Sequence, residues 1–230
     1  MKTIGLLGGM SWESSAHYYT LLNQEVRKRL GGLHSAKIIM ASVDFAEIAE
    51  WQRTQQWPLA GEKLAHLALQ LQNAGAELLL IGTNTMHKVA DIVARDLRIP
   101  LLHIADPTGQ ALRAQDITKV ALLGTRFTMA EEFYSARLQT NFDLEVCVPN
   151  AIDQDEIHRI IFEELCQGQL LTGSRETLQQ IIDQLAQQGA QAVILGCTEL
   201  GLLIKPSHSQ LPLFDTTELH AKAAIVHALT

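Results

Sequence analysis

The sequence predicts an α/β protein of two similar lobes, each a mostly parallel sheet flanked by helices. Two observations predict this class. Short Leu-rich or β-branched runs alternate with longer amphipathic stretches, which is typical of strand-helix units around a parallel sheet. The chain also repeats: three segments of the first half resemble three segments of the second half, in the same order and about half of the 230-residue chain apart. The matched positions are Gly8 with Gly124, Thr83 with Cys197, and Pro100 with Pro212.

The individual elements follow from the apolar pattern taken in chain order. Short apolar runs, several of them ended by Gly, predict strands at 3–7, 37–43, 77–81, 101–104, 119–123, 144–148, 192–195 and 213–214. The amphipathic stretches between them predict helices at 14–29, 59–73, 86–97, 108–115, 130–139, 154–167, 174–188 and 218–229.

The repeat also predicts the domain organisation. We expect residues 1–98 with 210–230 to form the first lobe and residues 99–209 the second. No Pro-, Gly- or Ser-rich linker separates the halves, so the chain is expected to cross between closely packed lobes more than once. The active site is then expected in the cleft between them.

Composition excludes several classes of function. Hydrophobic residues make up 47% of the chain, which is enough for a full core. The 18 Lys+Arg and 25 Asp+Glu give a net charge of −7 with no block of one sign, so neither nucleic acid nor an anionic membrane is an expected partner. No apolar stretch reaches a membrane span, and no export signal is recognisable at the first residues. The three cysteines lack a CxxC or a secreted disulfide pattern, which favours the cytoplasm.

Cofactor and metal motifs are also missing from the sequence. The glycines at positions 5, 8 and 9 follow the start of a strand, but their spacing is not that of the dinucleotide motif G-x-G-x-x-G. The nine histidines include no H-E-x-x-H pair. We therefore expect neither a cofactor nor a metal.

Two matching loops are the strongest candidates for chemistry. Gly82-Thr83-Asn84-Thr85 and Gly196-Cys197-Thr198-Glu199 each follow a buried strand directly. Ligands of open α/β sheets collect at the carboxyl ends of strands, where helix N-termini attract anions, so a small carboxylate is the expected ligand. A cysteine at a helix start is expected to have a lowered thiol pKa, which makes Cys197 the candidate reactive thiol. Cys147, inside a strand, and Cys166, on a helix, are interpreted as packing residues.

Three motifs together resemble the aspartate/glutamate racemase family over the whole chain. They are Gly-Cys-Thr-Glu-Leu in the second half, Asn-Thr followed by His in the first, and Ile-Gly-Leu-Leu-Gly-Gly-Met-Ser-Trp-Glu-Ser at the N-terminus. The resemblance implies an amino-acid substrate, no pyridoxal phosphate, and proton transfer at the α-carbon by two facing cysteines. The first of these cysteines is replaced here by Thr83.

The replacement implies an asymmetric enzyme. A racemase needs an acid/base group on each face of a planar carbanion, and a thiol can serve as both. A threonine hydroxyl does not readily become an alkoxide, so Cys197 is expected to abstract the α-proton and Thr83 at best to return one. Because the second-half cysteine of the family faces the L-enantiomer, L-Asp, L-Glu or a broader set of L-amino acids is the expected substrate.

Further residues are assigned from their positions and from the resemblance. Asn84, Thr85 and Thr198 are expected to hold the substrate α-carboxylate, and Glu199 to accept from the α-ammonium group. His87 could support Thr83. The remaining candidates for substrate contact are Met10 and Ser11 after the first strand, Gln52 in a segment expected to act as a lid, and Thr125, the counterpart of Gly9.

Other readings of the sequence stay open. A one-cysteine decarboxylase or a cis-trans isomerase of small dicarboxylates fits the loss of the first cysteine. A hydrolase using Cys197 with His87 and a non-catalytic two-lobed protein that binds carboxylates are further alternatives. A homodimer is compatible with the sequence, since two-fold dimers are the commonest assemblies.

Overall fold

A computed structural model describes residues 1–230 as two compact units. The first comprises Met1–Ile104 with His220–Thr230, and the second Ala105–Leu219. Both boundaries differ from those expected from the sequence: residues 99–104 belong to the first unit and residues 210–219 to the second. The strand pairings described below account for the difference.

The first unit is built on a three-stranded parallel sheet. Its strands are β1 (Ile4–Gly8), β2 (Ile38–Ser42) and β3 (Leu78–Ile81), in the order β2-β1-β3. The predicted strand at 101–104 is wrong, because this segment makes only one bridge, between Leu79 and Leu101. The next helix begins at Ala105, directly after this segment, which leaves no length for a ladder, but the bridge attaches the segment to the first sheet.

Helices surround this sheet and bury its apolar side chains. They are α1 (Trp12–Leu30), α2 (Phe45–Arg53), α3 (Trp57–Asn73), a 3₁₀ turn at Thr85–Val89, and α4 (Ala90–Ala94). The predicted helix at 86–97 is therefore shorter and begins as a 3₁₀ turn, and α2 was not predicted. The C-terminal helix α11 (Thr216–Leu229) adds Ala221, Ala224, Ile225 and Ala228 to the core of this unit.

The second unit is built on a four-stranded parallel sheet. Its strands are β4 (Lys119–Gly124), β5 (Glu145–Cys147), β6 (Ala192–Gly196) and β7 (Leu213–Asp215), in the order β5-β4-β6-β7. Because β7 pairs with β6, the chain up to β7 belongs to this unit.

The helices of the second unit are less regular than the sequence predicts. They are α5 (Ala105–Arg113), α6 (Arg126–Ala130), α7 (Glu132–Phe142), α8 (Ala151–Arg159), α9 (Thr172–Gln187), α10 (Leu200–Leu203) and a 3₁₀ turn at Pro206–His208. The predicted helix at 130–139 corresponds to α7, and the short helix α6 before it was not predicted. The predicted helix at 154–167 consists of α8, a π-helical turn at Ile160–Glu164 and a 3₁₀ turn at Leu165–Gln167.

The predicted repeat appears as the same local geometry at the ends of β3 and β6. Leu7 of β1 pairs with Ile81, and Leu123 of β4 pairs with Leu195 in the same register. A Cβ at Gly82 would lie 3.1 Å from the carbonyl oxygen of Leu7, and one at Gly196 would lie 2.8 Å from that of Leu123. Each glycine lets the loop after its strand pass close to the neighbouring strand. No helix of the structure has both the length and the apolar character needed to cross a bilayer.

Candidate active site

Cys197 stands directly after β6 in the loop that leads to α10. Its side chain is only 7% exposed. Its Sγ donates to Oε2 of Glu199 at 3.0 Å, and the Thr198 hydroxyl donates to the same oxygen at 2.5 Å. Both donors therefore share one oxygen of the Glu199 carboxylate. The three residues of the predicted second-half motif therefore form one hydrogen-bonded group.

The thiol of Cys197 is held in its protonated form. Burial raises the pKa of Cys197 well above its ordinary value, and the negative charge of Glu199 raises it further. The expected lowering of this pKa by a helix start is therefore wrong. The following helix α10 has only four residues, so its dipole is small beside burial and a carboxylate in contact.

The carboxylate of Glu199 lies against the other two polar residues of its motif. Its side chain is 2% exposed, and both carboxylate oxygens accept from side chains of its own unit. The second oxygen, Oε1, lies 3.9 Å from the Sγ of Cys166, a residue that the sequence interpretation left as packing. The contact of Glu199 with a substrate ammonium group stays a prediction, and its 3.0 Å contact with the Cys197 thiol places an acceptor beside the thiol proton.

Thr125 lies at the end of β4, the strand that neighbours β6. It caps α6, and its hydroxyl accepts from the backbone N–H of Thr128 at 3.3 Å. Gly124 pairs with Gly196, so Thr125 and Cys197 follow paired positions of adjacent strands. The structure thus brings Thr125, Cys197, Thr198 and Glu199 to one edge of the second sheet.

Thr83 stands at the matching point of the first sheet, directly after β3 and Gly82. It is half-buried, whereas Asn84, Thr85 and His87 after it are buried. Nδ1 of His87 donates to the carbonyl oxygen of Thr83 at 2.8 Å. The expected support of Thr83 by His87 therefore exists, but it acts on the backbone of Thr83.

His87 is neutral and its tautomer is determined by its partners. A carbonyl can only accept, so Nδ1 carries the proton, and Nε2 accepts from the backbone N–H of Ile104 at 3.2 Å. Burial lowers the pKa of His87 well below its ordinary value, and the nearby His103 and His220 lower it further. The ring of His103 lies 4.5 Å from that of His87, centroid to centroid, and the ring of His220 lies at 5.9 Å.

His220 extends the same group of buried side chains. Its Nε2 donates to the carbonyl oxygen of Leu102 at 2.9 Å, and its Nδ1 lies 2.9 Å from the Tyr18 hydroxyl. Sequence reasoning missed His220 and Tyr18 because their partners are distant in the chain. The only available signal was a histidine within an otherwise apolar helix pattern.

Met10 and Ser11 lie in the buried turn between β1 and α1. Ser11 caps α1, and its hydroxyl accepts from the N–H of Ser14 at 3.2 Å. The hydroxyl of Ser14 donates to the carbonyl oxygen of Gly82 at 2.9 Å, which connects this turn to the loop that carries Thr83. The structure therefore places Met10 and Ser11 beside the first-half motif.

Gln52 lies within α2, so the expected lid segment is partly helical. The side chain is 3% exposed, its Nε2 contacts the Sδ of Met86 at 3.1 Å, and its Oε1 has no hydrogen-bond partner. A buried acceptor without a partner costs about 1–3 kcal/mol, so such groups often mark sites that bind a ligand. No group of three or more His, Cys, Asp or Glu side chains is arranged to hold a metal ion.

Comparison with known proteins identifies the family. The Asp/Glu/hydantoin racemase family matches residues 7–224. The chain is 48% identical to a candidate Asp/Glu racemase from Yersinia pestis, with full coverage of both chains and a TM-score of 0.92. It is 35% identical to an aspartate racemase homologue from Pyrococcus horikoshii OT3, again with full coverage of both chains, at a TM-score of 0.86.

Two more distant relatives are also named as racemases. A broad specificity amino-acid racemase of Bacillus subtilis is 23% identical over 166 residues, which is 69% of this chain and 67% of that protein. An aspartate racemase of Picrophilus torridus, 18% identical, shares the fold at a TM-score of 0.77 over 99% of this chain and 94% of its own. From the match over residues 7–224 and the fold shared with these relatives, the chain belongs to the Asp/Glu/hydantoin racemase family and is an isomerase, an amino-acid racemase.

Proposed function

We propose that this racemase acts on aspartate, glutamate or a broader set of amino acids by 1,1-proton transfer at the α-carbon, and that it favours the L-enantiomer. One observation supports the asymmetry. The loop after β6 carries a buried thiol 3.0 Å from a carboxylate, whereas the matching loop after β3 carries a threonine.

The proposed reaction starts with the Cys197 thiol. Its proton moves to Oε2 of Glu199, the S–H electron pair stays on sulfur, and the thiolate then takes the α-proton of the L-amino acid. The C–H electron pair is delocalised into the substrate α-carboxylate, which makes the α-carbon planar. The hydroxyl of Thr83 gives a proton to the opposite face and takes one from the water that it holds, while Glu199 returns its proton to solvent, so no alkoxide is left in this direction.

The direction from the D-enantiomer would need Thr83 to act as a base. An alkoxide is far less accessible than a thiolate near neutral pH, so this direction should be slow. The bond from His87 to the Thr83 carbonyl supports a role in proton return, because it limits the movement of the backbone that carries the hydroxyl.

The substrate α-carboxylate must be held where charge develops. We propose Asn84, Thr85 and Thr198 for this role, with Met10, Ser11, Gln52 and Thr125 as further contacts. All seven side chains are buried at the ends of strands or in the helices next to them, and Gln52 has an unpaired amide oxygen. Donors aimed at developing charge are commonly the largest contribution to catalysis.

Loss of the α-proton NMR signal in deuterated water tests the proposal. Wild type should exchange the α-proton of one or more L-amino acids in a panel that includes aspartate and glutamate. Cys197→Ser should reduce this exchange at least 100-fold, as expected for removal of an acid/base group that contributes about 10² to 10⁴. Cys147→Ser, on a strand outside the group, is the matched control and should retain the wild-type rate. An active Cys197→Ser variant would contradict the mechanism.

We also propose a cytoplasmic location and a homodimer. All three cysteines are free thiols, which suits a reducing compartment. Sedimentation velocity measures the assembly, and a single monomer-sized species at micromolar concentration would contradict the dimer.

A further inference from the structure

Ser14 ends the N-terminal motif of the sequence, and the proposed reaction gives it no role. The residue lies in the first turn of α1 and is 2% exposed. Its hydroxyl donates to the carbonyl oxygen of Gly82 at 2.9 Å, across 68 positions of the chain. A buried hydroxyl of one helix is therefore bonded to the backbone immediately before Thr83.

The start of the helix holds Ser14 in its own position. Ser11 is the N-cap of α1, and its hydroxyl accepts from the backbone N–H of Ser14 at 3.2 Å. Such a cap stabilises the first turn of a helix, because it satisfies an N–H group that has no partner within the helix. The donor to Gly82 therefore has a defined position in the first unit.

Two hydrogen bonds hold the backbone on the two sides of Thr83. Ser14 donates to the carbonyl of the Gly82–Thr83 peptide unit at 2.9 Å, and His87 donates to the carbonyl of the next unit at 2.8 Å. A peptide unit is planar, so the orientations of the two units that flank a Cα determine the direction of its Cβ. The two bonds together determine the direction in which the Thr83 side chain leaves the backbone.

Gly82 would be the least restrained residue of this loop without the bond from Ser14. Glycine has no Cβ and has access to more backbone conformations than other residues. The N–H of Gly82 donates to the carbonyl oxygen of Leu7 at 2.8 Å, which holds the peptide unit before Gly82. The bond from Ser14 holds the unit after it, which leads into Thr83.

We propose that Ser14 is a positioning residue for the return of a proton to the substrate. By holding the Gly82–Thr83 peptide unit, its hydroxyl keeps the Thr83 side chain in the orientation from which it protonates the carbanion. Proton transfer needs the donor within hydrogen-bond reach of the acceptor, so a small rotation of this unit slows protonation. The inference rests on the proposed function, in which Cys197 removes the α-proton and Thr83 returns one.

Three variants separate this role from ordinary packing. Ser14→Ala removes the donor, and Ser14→Thr keeps a hydroxyl on the same Cβ. Thr20→Ala is the matched control, because Thr20 of α1 also donates its hydroxyl to a backbone carbonyl, that of Ala16 at 2.9 Å. Each variant is incubated with the best L-substrate in deuterated water, and circular dichroism verifies folding. Loss of the α-proton NMR signal measures exchange, and chiral chromatography measures inversion to the D-enantiomer.

The alanine variant should lose inversion and keep exchange. Formation of the D-enantiomer should fall by about fivefold or more, as the loss of one neutral hydrogen bond predicts. Loss of the α-proton should change by less than about twofold, because Cys197 still removes the proton and returns a deuteron to the same face. The ratio of inversion to exchange therefore falls in Ser14→Ala, whereas a general loss of folded enzyme lowers both rates and leaves the ratio unchanged. Ser14→Thr should restore the ratio to near wild type, and Thr20→Ala should keep it.

Two outcomes would overturn the inference: a wild-type ratio in Ser14→Ala, or equal changes of the ratio in the alanine and threonine variants. Should Ser14→Ala fail to fold, Ser14→Cys replaces it, because a thiol is a weak donor of similar shape, and a wild-type ratio there would overturn the inference as well. Thr83→Ala tests the proposed function separately. It should lower the ratio, and a wild-type ratio in Thr83→Ala would contradict the proposed role of Thr83, so the two failures are distinguishable.

Discussion

At the scale of single residues, Thr83 and Cys197 occupy matching positions with different side chains. Both follow a glycine at the end of a buried strand, in loops of matching geometry. The thiol of Cys197 lies 3.0 Å from a carboxylate oxygen of Glu199, whereas the carbonyl oxygen of Thr83 accepts from His87 at 2.8 Å. The chemistry of the two positions therefore differs even though the surrounding fold is repeated.

Thr83→Cys should restore a second base. Exchange and turnover starting from the D-enantiomer should rise by at least tenfold, because a thiolate is much more accessible than an alkoxide. The rate from the L-enantiomer should change much less. Thr83→Ala should slow the conversion of L to D unless a bound water delivers the proton. The measurement is the pair of initial rates, D and L, in one buffer.

The equilibrium between enantiomers provides the control for this experiment. No variant can change the equilibrium constant between the enantiomers, which is near one. The asymmetry must therefore appear as differences in kcat between the two directions that are matched by differences in KM. Equal handling of both enantiomers by wild type, or no gain from the D side in Thr83→Cys, would show that another group supplies the second proton.

At the scale of elements, the loop after β3 is held by a group of buried histidines. His87 joins the Thr83 carbonyl to the N–H of Ile104, and the His103 and His220 rings lie next to it. A neutral ring is required, because Nε2 must accept from Ile104. One neutral His87 ring therefore holds both the loop after β3 and the segment before α5.

Acid should destabilise the protein through His87. The folded-state pKa of His87 is lowered well below 6.5, so the unfolded chain binds more protons than the folded chain below that pH. The stabilisation is complete above pH 6.5 and is lost as pH falls from there toward the folded-state pKa. His87→Asn should reduce the rise of unfolding free energy between pH 5.0 and 6.5 by up to about 1.4 kcal/mol per pH unit.

Denaturant unfolding at several pH values measures this slope. His66→Asn is the matched control, since His66 is exposed on α3 and its variant should keep the wild-type slope. A wild-type slope in His87→Asn would mean that His87 is not the group that titrates on unfolding.

At the scale of the whole molecule, the chain is an α/β protein of two units with repeated strand-loop geometry and no recognisable cofactor motif. Racemisation by thiol and hydroxyl groups needs only the protein side chains. Dialysis, a metal chelator and hydroxylamine, which reacts with pyridoxal phosphate, should therefore leave the rate within about twofold of wild type. The rate after each treatment is the measurement. Visible absorption of the purified enzyme, or loss of activity with chelator, would reveal a cofactor.

Much of the fold could be predicted from the sequence. Seven of the eight predicted strands form, because apolar runs that a parallel sheet buries on both faces are local signals. The segment at 101–104 has the same apolar character, but it makes one bridge and then turns into α5. Helix α2 was not predicted because its nine residues make only about two and a half turns, too few for the apolar pattern to distinguish a helix from a connecting segment.

The sequence by itself determined the fold class, the repeat and the two motifs, since strand periodicity and residue identity are properties of neighbours in the chain. Only the tertiary structure decided the protonation of the site. Burial and Glu199 keep Cys197 a thiol, and His103 and His220 help to keep His87 neutral. The 3.9 Å contact between the Cys166 thiol and Glu199, residues 33 positions apart, is likewise made only in the folded chain. A pKa depends on charges and burial contributed by distant segments, and no local pattern records those contacts.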